Sequence, residues 1–235
     1  MNVRVTGKQV GEDSLLTTQP NSGPHQAPIS AKGHRTRRKL LDAAQIVFER
    51  DGFLNTKIAD ISREAGVAHG TFYTYFDSKT EIFRILVAEV MEMVYNTQIT
   101  PGDGSDLTPR QKVERGNRQW VKVVHQHRAM LRLLEEVATF DKEIFAMRLR
   151  VRVESAERIR KSIERWQQEG VARTDLESGP MAGALVAMVS NFTYFWLMLG
   201  ESDYDDETAI RTLTELYVSA LQLPNGAPGG GTFPK

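Results

Sequence analysis

The chain has 235 residues, 40% of them hydrophobic, enough for one sizeable core or two modest ones. It has no cysteine, which excludes disulfides, thiolate metal sites and thiol nucleophiles and fits a reducing, cytoplasmic compartment. Lys plus Arg equals Asp plus Glu, but residues 1–39 hold Arg4, Lys8, Lys32, Arg35, Arg37, Arg38 and Lys39 against only Glu12 and Asp13, and it is local charge, not the sum, that lets a surface meet phosphate.

Residues 1–33 are rich in Gly, Pro, Ser, Thr and Gln and cannot build a core, so a disordered arm is expected there. Its basic end, KGHRTRRK, either solubilises the chain or reaches DNA, with Arg35, Arg37 and Arg38 as candidate contacts. From Thr36 or Arg37 to Arg50 the apolar positions Leu40, Leu41, Ala44, Val47 and Phe48 form one helical stripe, stopped at Asp51-Gly52. Thr56 to Phe76 reads as two short helices around a tight turn. Ile58, Ile61 and Ala65 recur at helical spacing, Thr56 is placed to cap, and Gly66 breaks the helix where a positive φ is needed. A second helix then runs from about His69 to Phe76. This is a helix-turn-helix pattern whose second helix is the candidate reader of a DNA major groove.

Ser78 followed by Glu81 makes a capping box that opens a long helix through about Thr97, and PGDGSDLTP (Pro101–Pro109) is a loop. Helices are expected over Arg110–His127, with a break or bend at residues 125–128, then over Ala129–Ala138 and Lys142–Gln168, the last ended by Gly170. Pro180–Leu199 carries no Asp, Glu, Lys or Arg, so it belongs in a core or an interface; its Ser, Asn, Thr and Gly dilute any membrane reading. Asp206 to about Leu223 is the final helix, and residues 224–235 form a Gly/Pro-rich disordered tail. No run of 18 apolar residues and no signal-peptide pattern occur, so no membrane partner is expected.

Three blocks resemble the TetR family of bacterial transcriptional regulators: AAQIVFERDGF (Ala43–Phe53), TKIADISREAGVAHGTFYTYF (Thr56–Phe76) and DSKTEIF (Asp77–Phe83). The resemblance covers about Arg37–Arg84 and implies an all-α fold. A three-helix DNA-binding domain (34–79) would precede a larger helical ligand-binding and dimerisation domain (80–223). It also implies residue roles. Thr56 and Lys57 open the first motif helix beside phosphate, and Ala68 stands where a capping Ser is frequent. His69, Gly70, Thr71 and Thr74 face the bases, Tyr73 and Lys79 contact phosphate, and Phe72 and Phe76 set the helix angle. Tyr75 stays open between packing and phosphate contact.

A lone reading helix covers few base pairs, so a homodimer on a palindromic double-stranded operator is expected, paired mainly through the last two helices. A cavity for a hydrophobic small-molecule effector is expected in the second domain, with Trp120, Met130, Leu134, Phe145, Leu149, Met188, Phe192 and Trp196 as candidate lining, and Glu135, Asn191, Thr193 and Tyr194 as polar anchors. A repressor released by its ligand is the primary reading; an activator and a non-specific architectural DNA protein are the alternatives. No enzyme, cofactor or metal is expected. His125 and His127 point to different helix faces, and no phosphate loop or nucleophile elbow occurs.

Overall fold

The computed structural model describes residues 30–96 and 106–224. Among the described residues eight α-helices follow one another: α1 (Ala31–Asp51), α2 (Ile58–Glu64), α3 (His69–Phe72), α4 (Lys79–Asn96), α5 (Pro109–Val137), α6 (Lys142–Gln168), α7 (Ser178–Thr193) and α8 (Asp206–Leu221). A five-residue π-helical turn, Tyr194–Met198, extends α7. No strand occurs among the described residues, and the fold class is the all-helical one expected.

α1 begins earlier than its apolar stripe suggests. The Ser30 hydroxyl accepts from Gly33 N–H at 3.2 Å and caps the helix, so Ala31–Gly33 are helical rather than part of an arm. The rest of the expected arm, residues 1–29, lies outside the described residues, as do most of the loop before α5 and the tail from residue 225. The stripe itself is buried as expected. Gly52 ends α1 at φ +78°, donating its N–H to the Phe48 carbonyl.

Phe48 and Phe53 stack at 5.6 Å between ring centres, and Phe83 of α4 meets them at 5.2 and 4.8 Å. One apolar core therefore runs from α1 through α3 and α4 into α5 and the start of α6. A second core lies between α6, α7 and α8. α6 packs along α7 and α5 along α8, while α4 touches α1, α5 and α6.

α5 starts with a full capping box, Thr108 with Gln111, and Pro109 in its first turn. The break expected near residues 125–128 is a kink inside one helix: His127 alone leaves helical angles (φ −119°, ψ 17°), and the helix resumes to Val137. α6 has the predicted ends, capped by Asp141, which accepts from the N–H groups of Glu143 and Ile144. Length and composition would let Ser178–Met198 cross a membrane; here that segment lies along α6 and against α5.

Candidate nucleic-acid interface and effector cavity

α2 ends in a tight reversal. Gly66 takes φ +65°, and Val67 N–H donates to the Ser62 carbonyl at 3.0 Å, which sets the angle of α3. α3 is shorter than its pattern suggests. It is regular over His69–Phe72, then tightens, with Thr74 N–H bonded to Thr71 and Tyr75 N–H to Phe72, both at i−3. Phe72 and Phe76 are fully buried and tilted together at 5.6 Å, as a core anchor requires. Tyr75 is half-buried against the same core.

The outward side of α3 carries His69, Gly70 and Thr74, all exposed, with Thr71 half-buried beneath them. Tyr73 is 46% exposed, and its ring meets His69 edge-on at 5.5 Å. Ala68 is the residue before the helix and offers no side-chain cap. Lys57, Arg35 and Lys39 are exposed. Arg37 lies with its guanidinium 5.2 Å from the centre of the Phe76 ring.

Three expected contacts are placed differently. Thr56 is buried, and its hydroxyl donates to the Gly52 carbonyl at 2.7 Å rather than capping α2; Lys57 occupies the cap position without a side-chain bond. Arg38 sits on α1 and bonds Asp42 at 2.8 Å and both carboxylate oxygens of Glu89 on α4 at 3.0 and 3.1 Å. Lys79 points inward. Its ammonium donates to the carbonyls of Phe53, Leu54 and Thr56 at 2.7, 3.1 and 2.8 Å, and lies 4.8 Å from the Phe53 ring centre. An ammonium has three protons, so a phosphate would have to displace one of these carbonyls. Burial pushes the Lys79 pKa below the usual lysine value.

Behind the head, the unit built by α1, α2, α3 and the start of α4, lies a cavity of about 380 Å³ walled by α4, α5, α6, α7, the π turn and α8. Met91 and Val94 come from α4, Val113, Trp120, Leu131 and Leu134 from α5, Val151 and Ile159 from α6, and Leu185, Val186 and Val189 from α7. Glu135, Arg148, Arg152, Asn117, Asn191, Tyr194 and Tyr217 add polar groups. Glu135 accepts from Arg148 Nε at 2.6 Å.

Of the eight lining residues expected, Trp120 and Leu134 are in the wall. Met130 is buried in the head-side core. Phe145 and Leu149 are 49% and 46% exposed and stand outside the wall, to which α6 contributes Arg148, Val151, Arg152, Ser155 and Ile159. Met188 packs on the α6–α8 core. Phe192 and Trp196 instead join Tyr204 in an aromatic cluster with ring centres 5.2–5.9 Å apart. Among the polar anchors, Glu135, Asn191 and Tyr194 line the cavity, whereas Thr193 is buried and accepts from Trp120 Nε1 at 3.1 Å.

Residues 40–86, from the middle of α1 into α4, match the tetR family of bacterial regulatory proteins, and this is the segment that builds the head. The chain is 26% identical over 181 residues to the HTH-type transcriptional regulator YdgC of Bacillus subtilis, covering 74% of this chain and 88% of that one. The chain belongs to the TetR family. Among solved structures, the fatty acid degradation regulator FadR from Bacillus halodurans aligns at a TM-score of 0.65 with 17% identity, over 87% of this chain and all of that one. The flavonoid-responsive regulator FrrA aligns at 0.60 with 20% identity, over 82% and 100%. At such identities these two likenesses show the fold.

In this TetR-family regulator the cavity and the head share α4. Arg84 ties its first half to the start of α6, bonding Asp141 at 2.8 Å and Glu143 at 2.5 Å. Arg158 of α6 ties its last turn, bonding the Tyr95 carbonyl at 3.0 Å and stacking 3.7 Å above the Tyr95 ring. Arg38 joins its middle to α1. The sequence reading missed Met91 and Val94 as cavity residues, and missed Arg152 and Tyr217. Tyr217 did leave a signal, a hydroxyl set in the apolar stripe of α8. Among the described residues no group of three or more His, Asp or Glu could hold a metal ion.

Proposed function

We propose that this TetR-family chain is a repressor that binds a palindromic operator as a homodimer and releases it when a hydrophobic small molecule fills the cavity. The observation that carries this reading is the double use of α4, whose Met91 and Val94 line the cavity while Phe83 and Arg38's partner Glu89 hold the head. A ligand that favours one position of α4 also favours one spacing of the two heads, because it shifts a population by its differential affinity.

On this reading His69, Gly70, Thr71 and Thr74 meet base edges, and Tyr73, Lys57, Arg35 and Arg37 meet phosphate. The backbone at Ala68 opens the reading helix. Thr56, Arg38 and Lys79 support the head from behind. The two reading helices would sit about 34–36 Å apart on one DNA face. The likeness to FadR, a fatty acid degradation regulator, and to FrrA, a flavonoid-responsive one, supports an apolar effector. An activator would use the same geometry with its operator placed differently.

Selection of bound duplexes from a random library tests the reading, followed by release assays with apolar compounds. A two-fold symmetric consensus, preferred over random duplex by roughly 10³-fold or more, is expected. No preference at moderate salt overturns the operator claim; retention of the operator with every apolar compound overturns the effector claim.

A further inference from the structure

Tyr217 is the one residue of the cavity wall with a side-chain oxygen that is both buried and unpartnered among the described residues. It is only 2% exposed, and burial raises its pKa far above that of a free phenol, so the hydroxyl stays protonated. A buried donor without an acceptor is costly, and few native groups are left so.

The neighbouring polar group completes a pattern. Thr214, one turn before Tyr217, donates its hydroxyl to the Ile210 carbonyl at 2.7 Å, so it can only accept from Asn117 Nδ2, 3.1 Å away. That orients the amide of Asn117, a residue of the cavity wall, and leaves its Oδ1 as an acceptor with no bond among the described residues. Tyr217 clusters with Val113, Ile159 and Leu185, which places this end opposite the Glu135–Arg148 pair. Along α6 the two ends, Ile159 and Arg148, are about 16 Å apart at a rise of 1.5 Å per residue. The charged lining residues, Glu135, Arg148 and Arg152, all sit toward the Arg148 end.

We infer that the effector is an apolar molecule that buries a neutral oxygen, a hydroxyl or a carbonyl, between Tyr217 and Asn117. A hydroxyl satisfies both, accepting from Tyr217 and donating to Asn117. A carboxylate at this end would be buried without a cation, at high cost. The inference rests on the cavity being the effector site and adds the chemistry of its Tyr217 end.

Three probes of one shape separate the possibilities: 4-heptylphenol, heptylbenzene and 4-heptylbenzoate, titrated into the full chain and followed by tryptophan emission, since Trp120 is in the wall. Wild type is expected to bind the phenol about tenfold more tightly than the hydrocarbon, and more tightly than the benzoate. In Tyr217→Phe the phenol's preference over the hydrocarbon should shrink severalfold, the bond to Asn117 remaining, with hydrocarbon binding unchanged. Equal binding of phenol and hydrocarbon by wild type, or tightest binding of the benzoate, overturns the inference and leaves the effector site standing. So does a Tyr217→Phe protein that keeps the preference undiminished. No response to any probe overturns both. The wild-type comparison decides even if the variant folds poorly.

Discussion

Lys79 and Gly70 divide the head into parts that hold and parts that touch. Lys79→Met removes an ammonium bonded to three carbonyls and leaves those oxygens short of donors. A loss of about 2 kcal/mol in urea unfolding is expected. An unchanged unfolding midpoint, with one unit lost from the salt dependence of DNA binding, would return Lys79 to the phosphate role. Gly70 is the reverse case. A Cβ there meets nothing within 4 Å in the free protein, so Gly70→Ala should leave the melting temperature unchanged or slightly higher. The same methyl group would stand between α3 and a base edge, and operator affinity should fall at least tenfold; equal affinity would show that the backbone does not approach DNA there. These distinctions were only partly open to sequence. The family resemblance implied that Phe72 and Phe76 set the helix angle, and both are fully buried. Whether a lysine reaches out to phosphate or back to a carbonyl depends on the path of a distant loop, which no local pattern records.

At the scale of helices, α4 and α6 are joined through Asp141. Burial raises the pKa of this carboxyl, but the Ile144 N–H and Arg84 overcome that and hold it below the usual carboxylate value. The folded state therefore binds the charged form better than the unfolded chain does. This contribution is full above the ordinary aspartate pKa, near 4, and is lost as pH falls through the depressed folded value. Asp141→Asn keeps a capping oxygen but loses the charge. It should cost about 1 kcal/mol near pH 7, and the difference from wild type should shrink in acid as both carry a neutral group. Thermal melts from pH 7 to pH 3 check this; a difference that stays constant over that range would assign the effect to packing. Helix ends were legible wherever a cap follows a clear apolar period, as in α6. The start of α1 was not, since Ser30 lies in a stretch whose composition reads as loop. The cavity was legible only as an expectation of apolar lining. Period tells which residues share a face, but not which of two buried faces is turned to empty space, so Phe145 and Leu149 fell on the outside.

For the whole molecule, pairing is the property left to measure. Ala184 of α7 and Leu216 of α8 are exposed on the helices expected to form the dimer. Ala184→Arg adds a charge where the single chain has open surface, so folding should be unaffected. A dimer by sedimentation at micromolar concentration for wild type, and a monomer for the variant, is the expected result; a variant that remains a dimer moves the interface elsewhere. The π turn at Tyr194–Met198 has its own consequence for chain length. It holds one residue more than an ordinary turn, and so sets where Trp196 points. Removing any one of its residues would restore a regular spiral and swing all that follows by about 100°. Trp196 would then leave Phe192 and Tyr204, and its emission would shift. A single-codon deletion there is not equivalent to one in the stretch after Gly200, where no ladder of bonds counts the residues.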